Sequence, residues 1–318
     1  MSILINKSGI LTTIQDLGRN GFRKYGINPN GAMDRAAVCL INILLGNDEA
    51  EAVLEIHFPA PEIVFETVAN FALGGGNFAA DLDGVAIDNW RTNFADSGSV
   101  LTFRNKISGN RAYLSIKGGF NLPEIFGSLS TNLTAGFGGI EGRKLQNGDR
   151  IELKSKVQSP KPKVQIANSL LPFYSRFPTV RVVVGAEFDD LTALSEQNFL
   201  KTDFVITQNS DRMGFRLIGE PLHLLDSKEF VSSAVNFGTI QLLPDGQMII
   251  LMADHQTSGG YPRIASVIPN DLPLVAQLSA NDKIAFHLVS IDEAEDLAFE
   301  FERDLRFFNV GVKCRKGC

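Results

Sequence analysis

The sequence predicts a mainly β protein: two tandem β-barrel domains with a few short helices. Three observations carry the prediction. Apolar runs are short and rich in β-branched and aromatic residues, as in Ile63-Val64-Phe65, Val100-Leu101-Thr102-Phe103, Ala112-Tyr113-Leu114-Ser115-Ile116, Val180-Arg181-Val182-Val183-Val184 and Met248-Ile249-Ile250-Leu251-Met252. Turn residues punctuate them, with glycine at 29 of 318 positions, above the usual share of about 7%. Patterns in one half return in the other. Phe71-Ala72-Leu73-Gly74 leads a strand into glycine, as Val182-Val183-Val184-Gly185 does. Lys117-Gly118-Gly119-Phe120 precedes Pro123, Ile125 and Ser128, and Ser258-Gly259-Gly260-Tyr261 precedes Pro262, Ile264 and Ser266. Asn147-Gly148-Asp149-Arg150-Ile151 matches Ala280-Asn281-Asp282-Lys283-Ile284, and Thr13-Ile14-Gln15 faintly echoes Thr239-Ile240-Gln241. A duplicated β-domain accounts for these echoes, and closing each copy removes exposed strand edges. The runs do not alternate with long helical patterns, which argues against a doubly wound parallel sheet.

In chain order, residues 1–60 form an N-terminal segment packed on the barrels. Asp34 caps a helix from Arg35 to Leu45 that stops at Gly46-Asn47. Residues 61–160 make the first barrel, in which Gly74-Gly75-Gly76, with no helix after it, reads as a turn or bulge rather than a phosphate cradle. The polar, basic stretch from Lys154 to Lys163, with Pro160 and Pro162, reads as a linker or solvated crossing. Residues 170–290 make the second barrel. In 291–318, Ser290 and Glu293 form a capping-box pattern. Ile291, Ala294, Leu297, Phe301 and Leu305 recur at helical steps, so one face packs on the body. The tail with Cys314 and Cys318 reads as a frayed end.

Composition narrows the function. Lys plus Arg is 30 against 36 Asp plus Glu, a net charge of −6, which argues against nucleic-acid binding. The three cysteines form no disulfide framework, and Cys39, in an apolar run, reads as core. The N-terminus lacks a signal-peptide pattern and no apolar stretch is long enough to span a membrane, so a cytoplasmic, membrane-free protein is expected. The chain has no Gly-x4-Gly-Lys-Ser/Thr loop, no His-Glu-x-x-His and no Cys-x-x-Cys pair, and its four histidines are scattered. No metal site is therefore expected.

Four stretches dense in polar residues and glycine suit a core poorly. They are Thr12-Thr13-Ile14-Gln15-Asp16-Leu17-Gly18-Arg19 with Gly31-Ala32-Met33-Asp34; Lys117-Gly118-Gly119-Phe120 with Gly127-Ser128-Leu129-Ser130-Thr131 and Gly138-Gly139-Ile140-Glu141-Gly142-Arg143; Ser210-Asp211-Arg212-Met213-Gly214-Phe215-Arg216-Leu217; and Asp254-His255-Gln256-Thr257-Ser258-Gly259-Gly260-Tyr261-Pro262. Guanidinium forks suit carboxylates and phosphoryl groups, which makes Arg19, Arg143, Arg212 and Arg216 binding candidates; each also suits bracing a turn against an acid such as Asp16 or Asp211. Asp254, beside Gln256 and Thr257 at a strand end, suits orienting a partner or moving a proton, or locking its loop. Lys117 suits neutralising a carboxylate or a carboxyphosphate-like species, or lying solvated at a strand end. Gly118-Gly119 and Gly259-Gly260 let a ligand approach backbone N–H groups, or simply make turns. Tyr261 suits stacking on a flat ring or capping a barrel end.

The order and combination of Gln-Asp-Leu-Gly-Arg, Gly-Ser-x-Ser-Thr, Ser-Asp-Arg-Met-Gly-x-Arg-Leu and Gln-Thr-x-Gly-Gly-Tyr-Pro resemble the carboxyltransferase-domain family typified by KipA. That family includes the C subunit of bacterial ATP-dependent 5-oxoprolinase, allophanate hydrolase subunit 2 and the carboxyltransferase region of urea carboxylase. The resemblance runs from about Gly9 to about Val289. Ser258 stands where relatives often carry Thr, and Glu187 where Gln is common. The resemblance implies cyclophilin-like barrels and a KipI-like partner, the B subunit. With the A subunit present too, it implies ATP-dependent opening of 5-oxoproline, with this chain inactive alone. On that reading Asp254, Lys117 and Thr257 are the catalytic candidates, and Arg19, Arg143, Arg212, Arg216, Gln256, Gly118, Gly119, Gly259, Gly260 and Tyr261 bind substrate or phosphate. ATP is bound by the complex at a site the sequence does not locate. Two alternatives are biotin-dependent carboxyl transfer to urea or a related amide, and a non-catalytic regulator that binds a KipI-like kinase inhibitor.

Overall fold

The computed structural model describes residues 1–154, 164–226 and 229–314. Most of the basic stretch (155–163) and Cys318 lie outside the described residues. Contacts divide the chain into two compact units: Met1–Arg19 with Asn30–Pro172 and Arg303–Cys318, and Asn20–Pro29 with Phe173–Glu302.

The first unit holds β1 (Ser2–Lys7), β2 (Thr12–Gln15), α1 (Arg35–Leu45), β3 (Val53–Ile56), β4 (Glu62–Phe65), β5 (Ala69–Asn77), β6 (Ala80–Leu82), β7 (Val85–Ala86), β8 (Thr92–Ala95), β9 (Val100–Phe103), β10 (Ser108–Ile116) and β11 (Arg150–Glu152). They form a six-stranded sheet, β11-β1-β4-β9-β6-β7, and a five-stranded sheet, β2-β3-β10-β5-β8. Period-two alternation explains the layers. Ile3, Ile5, Ile63 and Phe65 of one sheet share a core with Leu54, Ile56, Phe71, Leu73, Leu114 and Ile116 of the other. The intervening residues Val53, Ala72 and Tyr113 face the opposite way, onto Val38, Ile41 and Leu45 of α1. The five-stranded sheet is thus buried on both faces, which its near-continuous apolar runs require.

Helix α1 forms as its ends dictate. The Asp34 carboxylate accepts from the N–H of Ala37 at 2.9 Å, and Gly46 stops the helix at φ 66°. A bulge accompanies the triple glycine, as its sequence predicts: the β5–β10 register shifts between Ser108 and Ala112, opposite Gly75. Gly74 is required by close approach, because a Cβ there would lie 2.6 Å from the Ile41 side chain.

The second unit holds β12 (Thr179–Val184), α2 (Ala193–Lys201), β13 (Phe204–Ile206), β14 (Gly214–Ile218), β15 (Ser233–Ala234), β16 (Thr239–Leu242), β17 (Met248–Leu251), β18 (Ser258–Gly259), β19 (Arg263–Val267), α3 (Leu272–Ala276) and β20 (Lys283–Leu288). Seven of these strands close a barrel in the order β12-β19-β16-β17-β14-β13-β20, and β15 pairs with β18 apart from it. The mainly β class therefore stands. The closed barrel lies in this unit, whereas in the first the strands divide between two sheets and α1 covers the outer face of one. Val182, Phe215, Leu217, Ile240, Ile250, Ile264 and Phe286 are among the buried apolar side chains. Phe199 of α2 stacks on Phe286 at 4.8 Å.

Helix α4 (Ile291–Cys314) starts where the capping pattern places it, with the Glu293 N–H donating to Ser290 Oγ at 3.1 Å. Ala294, Leu297, Phe301 and Leu305 are half-buried, but Ile291 is exposed because it precedes the face that packs. Helices α2 and α3 carry no clear signal in the sequence. In α2 only Ser195 and Phe199 are buried, so its apolar period is faint, and α3 is five residues long.

One echo is structural. Asp149 and Asp282 each accept from a backbone N–H three residues earlier, at Gln146 (2.7 Å) and Ser279 (2.8 Å). Each also takes an arginine, Arg143 and Arg176 respectively, and each stands at the head of a strand. The Gly-Gly echo is not structural: Gly118-Gly119 follow β10 and lead into a loop, whereas Gly259-Gly260 lead into β19. Turn chemistry alone brings glycine to both places.

Candidate functional site

The first two motifs meet inside the first unit. Asp16, at the end of β2, is a buried carboxylate whose Oδ1 accepts from Gly18 N–H (2.7 Å), Ser128 Oγ (2.7 Å) and Ser130 Oγ (2.6 Å), while Oδ2 accepts from Leu129 N–H (2.6 Å). Arg19 is 1% exposed. It donates to Asn30 Oδ1 (3.0 Å), to the Ile125 carbonyl (3.2 Å) and to the Ser130 carbonyl, and lies 4.7 Å from the Phe137 ring centroid. The protein's own oxygens, those of Asn30, Ile125 and Ser130, thus take the Arg19 guanidinium.

Nearby, Met33 N–H and the Tyr113 hydroxyl both donate to Glu55 Oε2 at 2.9 Å, and Asp34 N–H donates to the Tyr113 oxygen at 2.9 Å. Burial, then the Glu55 and Asp34 charges, push the Tyr113 phenol well up. Glu55 and Tyr113 carry the Gly31–Asp34 motif, and strand alternation was the only sequence signal for them.

Lys117 donates to the Gly46 carbonyl at 2.5 Å, placing its charge at the C-terminus of α1, where the helix dipole favours a cation. Gly118 N–H donates to Asn47 Oδ1 (2.9 Å), and a Cβ on Gly119 would lie 2.2 Å from the Glu51 carboxyl. Arg143 is forked onto Asp149 at 2.7 and 3.0 Å, with Glu141 also in reach. That pair holds the Arg143 pKa above its ordinary value. Arg19, Lys117 and Arg143 thus sit in three separate clusters of the first unit.

In the second unit, Arg212 and Asp254 form a buried two-pronged pair, Nε to Oδ2 at 2.9 Å and Nη2 to Oδ1 at 3.0 Å. Asp254 N–H donates to the Arg212 carbonyl (2.8 Å), and Asn28 Nδ2 to the Asp254 carbonyl (3.0 Å). These bonds pin the 210–213 loop to the 254–257 loop. The Thr257 carbonyl accepts from Val235 N–H at 3.3 Å, and β15–β18 pairing holds Ser258 and Gly259.

Both pinned loops line a cleft of about 620 Å³ on the outer face of the barrel, with Asp211, Met213 and Arg216 on one side and Gln241, Gln256 and Tyr261 on the other. Register explains the arrangement. Arg216 of β14 and Gln241 of β16 each pair with Ile249 of β17, so the three form one outward row. Gln256 Nε2 approaches Gln241 Oε1 at 3.4 Å, and Gln241 Nε2 donates to the Tyr261 carbonyl at 3.3 Å. A Cβ on Gly259 would lie 2.7 Å from Gln241 Nε2, so glycine permits that approach. The row continues to Arg263, which Gln241 faces on β19. Arg263 is clasped by Glu187 through its backbone N–H (2.7 Å) and guanidinium (3.0 and 2.7 Å). The charge that Glu187 adds is therefore matched in place, and Arg263 holds its carboxyl below the usual range.

A second cleft, of about 660 Å³, shares Leu243, Pro244, Asp245 and Tyr261 with the first and adds Gly260, His223, Asp226 and Glu229. Of the expected site residues, Arg216, Gln256 and Tyr261 line the first cleft, and Arg212 and Asp254 brace its loops. Gln241 was not among them. Its only signal in the sequence was the faint echo of Thr13-Ile14-Gln15 in Thr239-Ile240-Gln241.

Comparison with known proteins matches residues 25–288 to the family model described as carboxyltransferase domain, subdomain A and B. The chain is 38% identical to the C subunit of 5-oxoprolinase from Escherichia coli (strain K12) over 292 residues, covering 91% of this chain and 92% of that protein. It is 37% identical to the C subunit of 5-oxoprolinase from Haemophilus influenzae over 291 residues, covering 90% of each. Among solved structures, the urea amidolyase of K. lactis superposes with a TM-score of 0.91 at 28% identity, over 96% of this chain and 20% of that one.

Proposed function

The chain belongs to the carboxyltransferase family of subdomains A and B, and from that premise we propose that it is the C subunit of an ATP-dependent 5-oxoprolinase. The observation that carries the reading is mutual coverage: this chain and its E. coli relative account for 91% and 92% of one another. Against urea amidolyase it spans about a fifth of the structure's chain.

In this reading the chain acts with a KipI-like B subunit and a separate A subunit, and is inactive alone. The terminal phosphoryl group of ATP passes to the lactam carbonyl oxygen. Water adds at the same carbon and the ring C–N bond breaks, freeing the amine and leaving an acyl phosphate; a second water cleaves that acyl phosphate, giving glutamate, ADP and phosphate. Activation of this kind is needed because amide nitrogen is a poor leaving group. ATP is assigned to the assembly and to no cluster of this chain. Arg212 and Asp254, bonded to each other, serve as positioning residues.

The test is ATP hydrolysis by this chain mixed with its two partner subunits, with and without 5-oxoproline. Stimulation that needs all three chains and yields glutamate supports the reading. A stable complex without stimulation moves it to another amide or to regulation. A second reading, carboxyl transfer from biotin to urea or a related amide, draws on the TM-score of 0.91 to urea amidolyase. The 318 residues hold no Met-Lys-Met sequence, so in that reading the biotin carrier lies outside them. Carboxyl transfer from free carboxybiotin to urea would favour it.

A further inference from the structure

Resting on the oxoprolinase reading, we infer that the outer-face cleft of the second unit's barrel is the seat of the lactam acid, with Arg216 holding its carboxylate and the Gln241–Gln256 carboxamides facing its ring amide. Four observations lead there.

The first is an uncommitted cation. Arg216 bonds through its backbone, its N–H donating to Ser210 Oγ (3.0 Å) and its carbonyl accepting from Thr207 N–H (2.9 Å). Among the described residues its guanidinium has no hydrogen-bond or ion-pair partner. Arg19, Arg143 and Arg212 are all engaged by the protein. A guanidinium fork matches a carboxylate in two parallel bonds.

The second is a polar pair at the other end of the same row. Gln241, almost fully buried, gives one Nε2 hydrogen to the Tyr261 carbonyl and one Oε1 lone pair to Gln256, which leaves each carboxamide with further oxygen and N–H capacity. A lactam presents one N–H and one C=O side by side, which such a pair can answer together.

The third is spacing. Arg216 and Gln241 are separated by one strand, so their backbones stand about 10 Å apart at roughly 4.8 Å per strand. The intervening residue, Ile249, gives the cleft an apolar floor, and the Tyr261 ring, 46% exposed, lines it as well. In 5-oxoproline the carboxylate sits on the ring carbon next to the lactam nitrogen and the carbonyl on that nitrogen's other side, so the cation and the carboxamide pair can meet that one edge while the two methylenes rest on the apolar floor.

The fourth is charge. Asp211 and Asp245 also line this cleft. Their Oδ1 atoms close turns, accepting from Met213 and Gly214 N–H and from Gln247 N–H. One guanidinium beside two carboxylates leaves the cleft net negative, so a monoanion can enter only with its carboxylate seated on the cation. A polyphosphate would bring several negative charges against them. The neighbouring cleft is lined by Asp226, Glu229 and Asp245, with no Lys or Arg among its described lining residues.

The test separates this inference from the reading beneath it. In the three-chain assembly, KM for 5-oxoproline and KM for ATP are measured for the wild type, Arg216→Ala and Arg216→Lys. Loss of a charged hydrogen bond, at about 1.5–3 kcal/mol, predicts a KM for 5-oxoproline raised roughly 10- to 100-fold, with KM for ATP within about twofold. Arg216→Lys should recover part of the loss. Binding of 2-pyrrolidone, which lacks the carboxylate, should not respond to Arg216→Ala. An unchanged KM for 5-oxoproline, or an equal rise in both constants, overturns the inference while leaving the enzyme's identity intact. If the wild-type assembly has no 5-oxoproline-dependent hydrolysis, the oxoprolinase reading fails first. Saturation-transfer NMR of 5-oxoproline with the full chain then decides the seat: transfer lost in Arg216→Ala but kept in Arg303→Ala supports it, and no transfer from the wild-type chain overturns it.

Discussion

The two Gly-Gly corners look alike in sequence and have opposite fates. Gly118-Gly119 is plugged: Asn47 takes the Gly118 N–H, the Glu51 side chain covers Gly119, and the following Phe120 is wholly buried. Gly259 is approached by the Gln241 side chain, but Gly260 lines an open cleft and the following Tyr261 is 46% exposed. A glycine pair allows close approach, but what approaches is decided by the packing around it. In the first unit the occupant is the protein itself, as it is for Arg19. In the second, space remains.

That contrast can be broken most severely at the brace of the open corner. Arg212→Ala removes both guanidinium bonds to the buried Asp254 carboxylate and should cost about 3–5 kcal/mol in denaturant unfolding. The double variant Arg212→Met with Asp254→Leu should regain most of that loss. A single variant as stable as wild type would show that the pair does not pin the two loops. The glycines give a direct comparison. Gly119→Ala combines φ 77° with a Cβ driven against Glu51, and should cost about 2 kcal/mol. Gly260→Ala meets nothing closer than 3.4 Å and should stay within about 0.5 kcal/mol. Equal effects would erase the distinction between plugged and open corners.

The smallest effect sharpens the comparison at the rim of the barrel row. Hydrogen bonding to Arg263 lowers the Glu187 pKa. Its contribution is therefore full above the ordinary glutamate value of about 4.3 and is lost as pH falls through the lower folded value. Glu187→Gln should cost about 1 kcal/mol near neutral pH and flatten the stability profile below about pH 4.3. A profile with unchanged slope there would remove Glu187 from the acid response.

Much of the fold was legible from local signals. Asp34, Gly46 and Ser290 mark helix ends by hydrogen bonds made within a few residues. Strand runs such as Val180–Val184 carry their own period. Helix α2 was missed because one large apolar side chain, Phe199, anchors it. The site was legible as motifs but not as a place. Arg212 and Arg216 are four residues apart in one motif, yet one is buried against Asp254 and the other faces the cleft. Gln241, noticed in the sequence only as the end of a faint Thr-Ile-Gln echo, becomes a neighbour of Arg216 only through the strand between them.

By itself the sequence determined the mainly β class, the capped helix α1 and the family, because each rests on short-range chemistry or on motif order along the chain. Only the tertiary structure decided that one unit closes a barrel while the other splits into two sheets with α1 on the outer face of one, and which arginines brace and which remain available. Those outcomes depend on register and on which side chains reach a group first, and both are set by contacts between residues far apart in the chain.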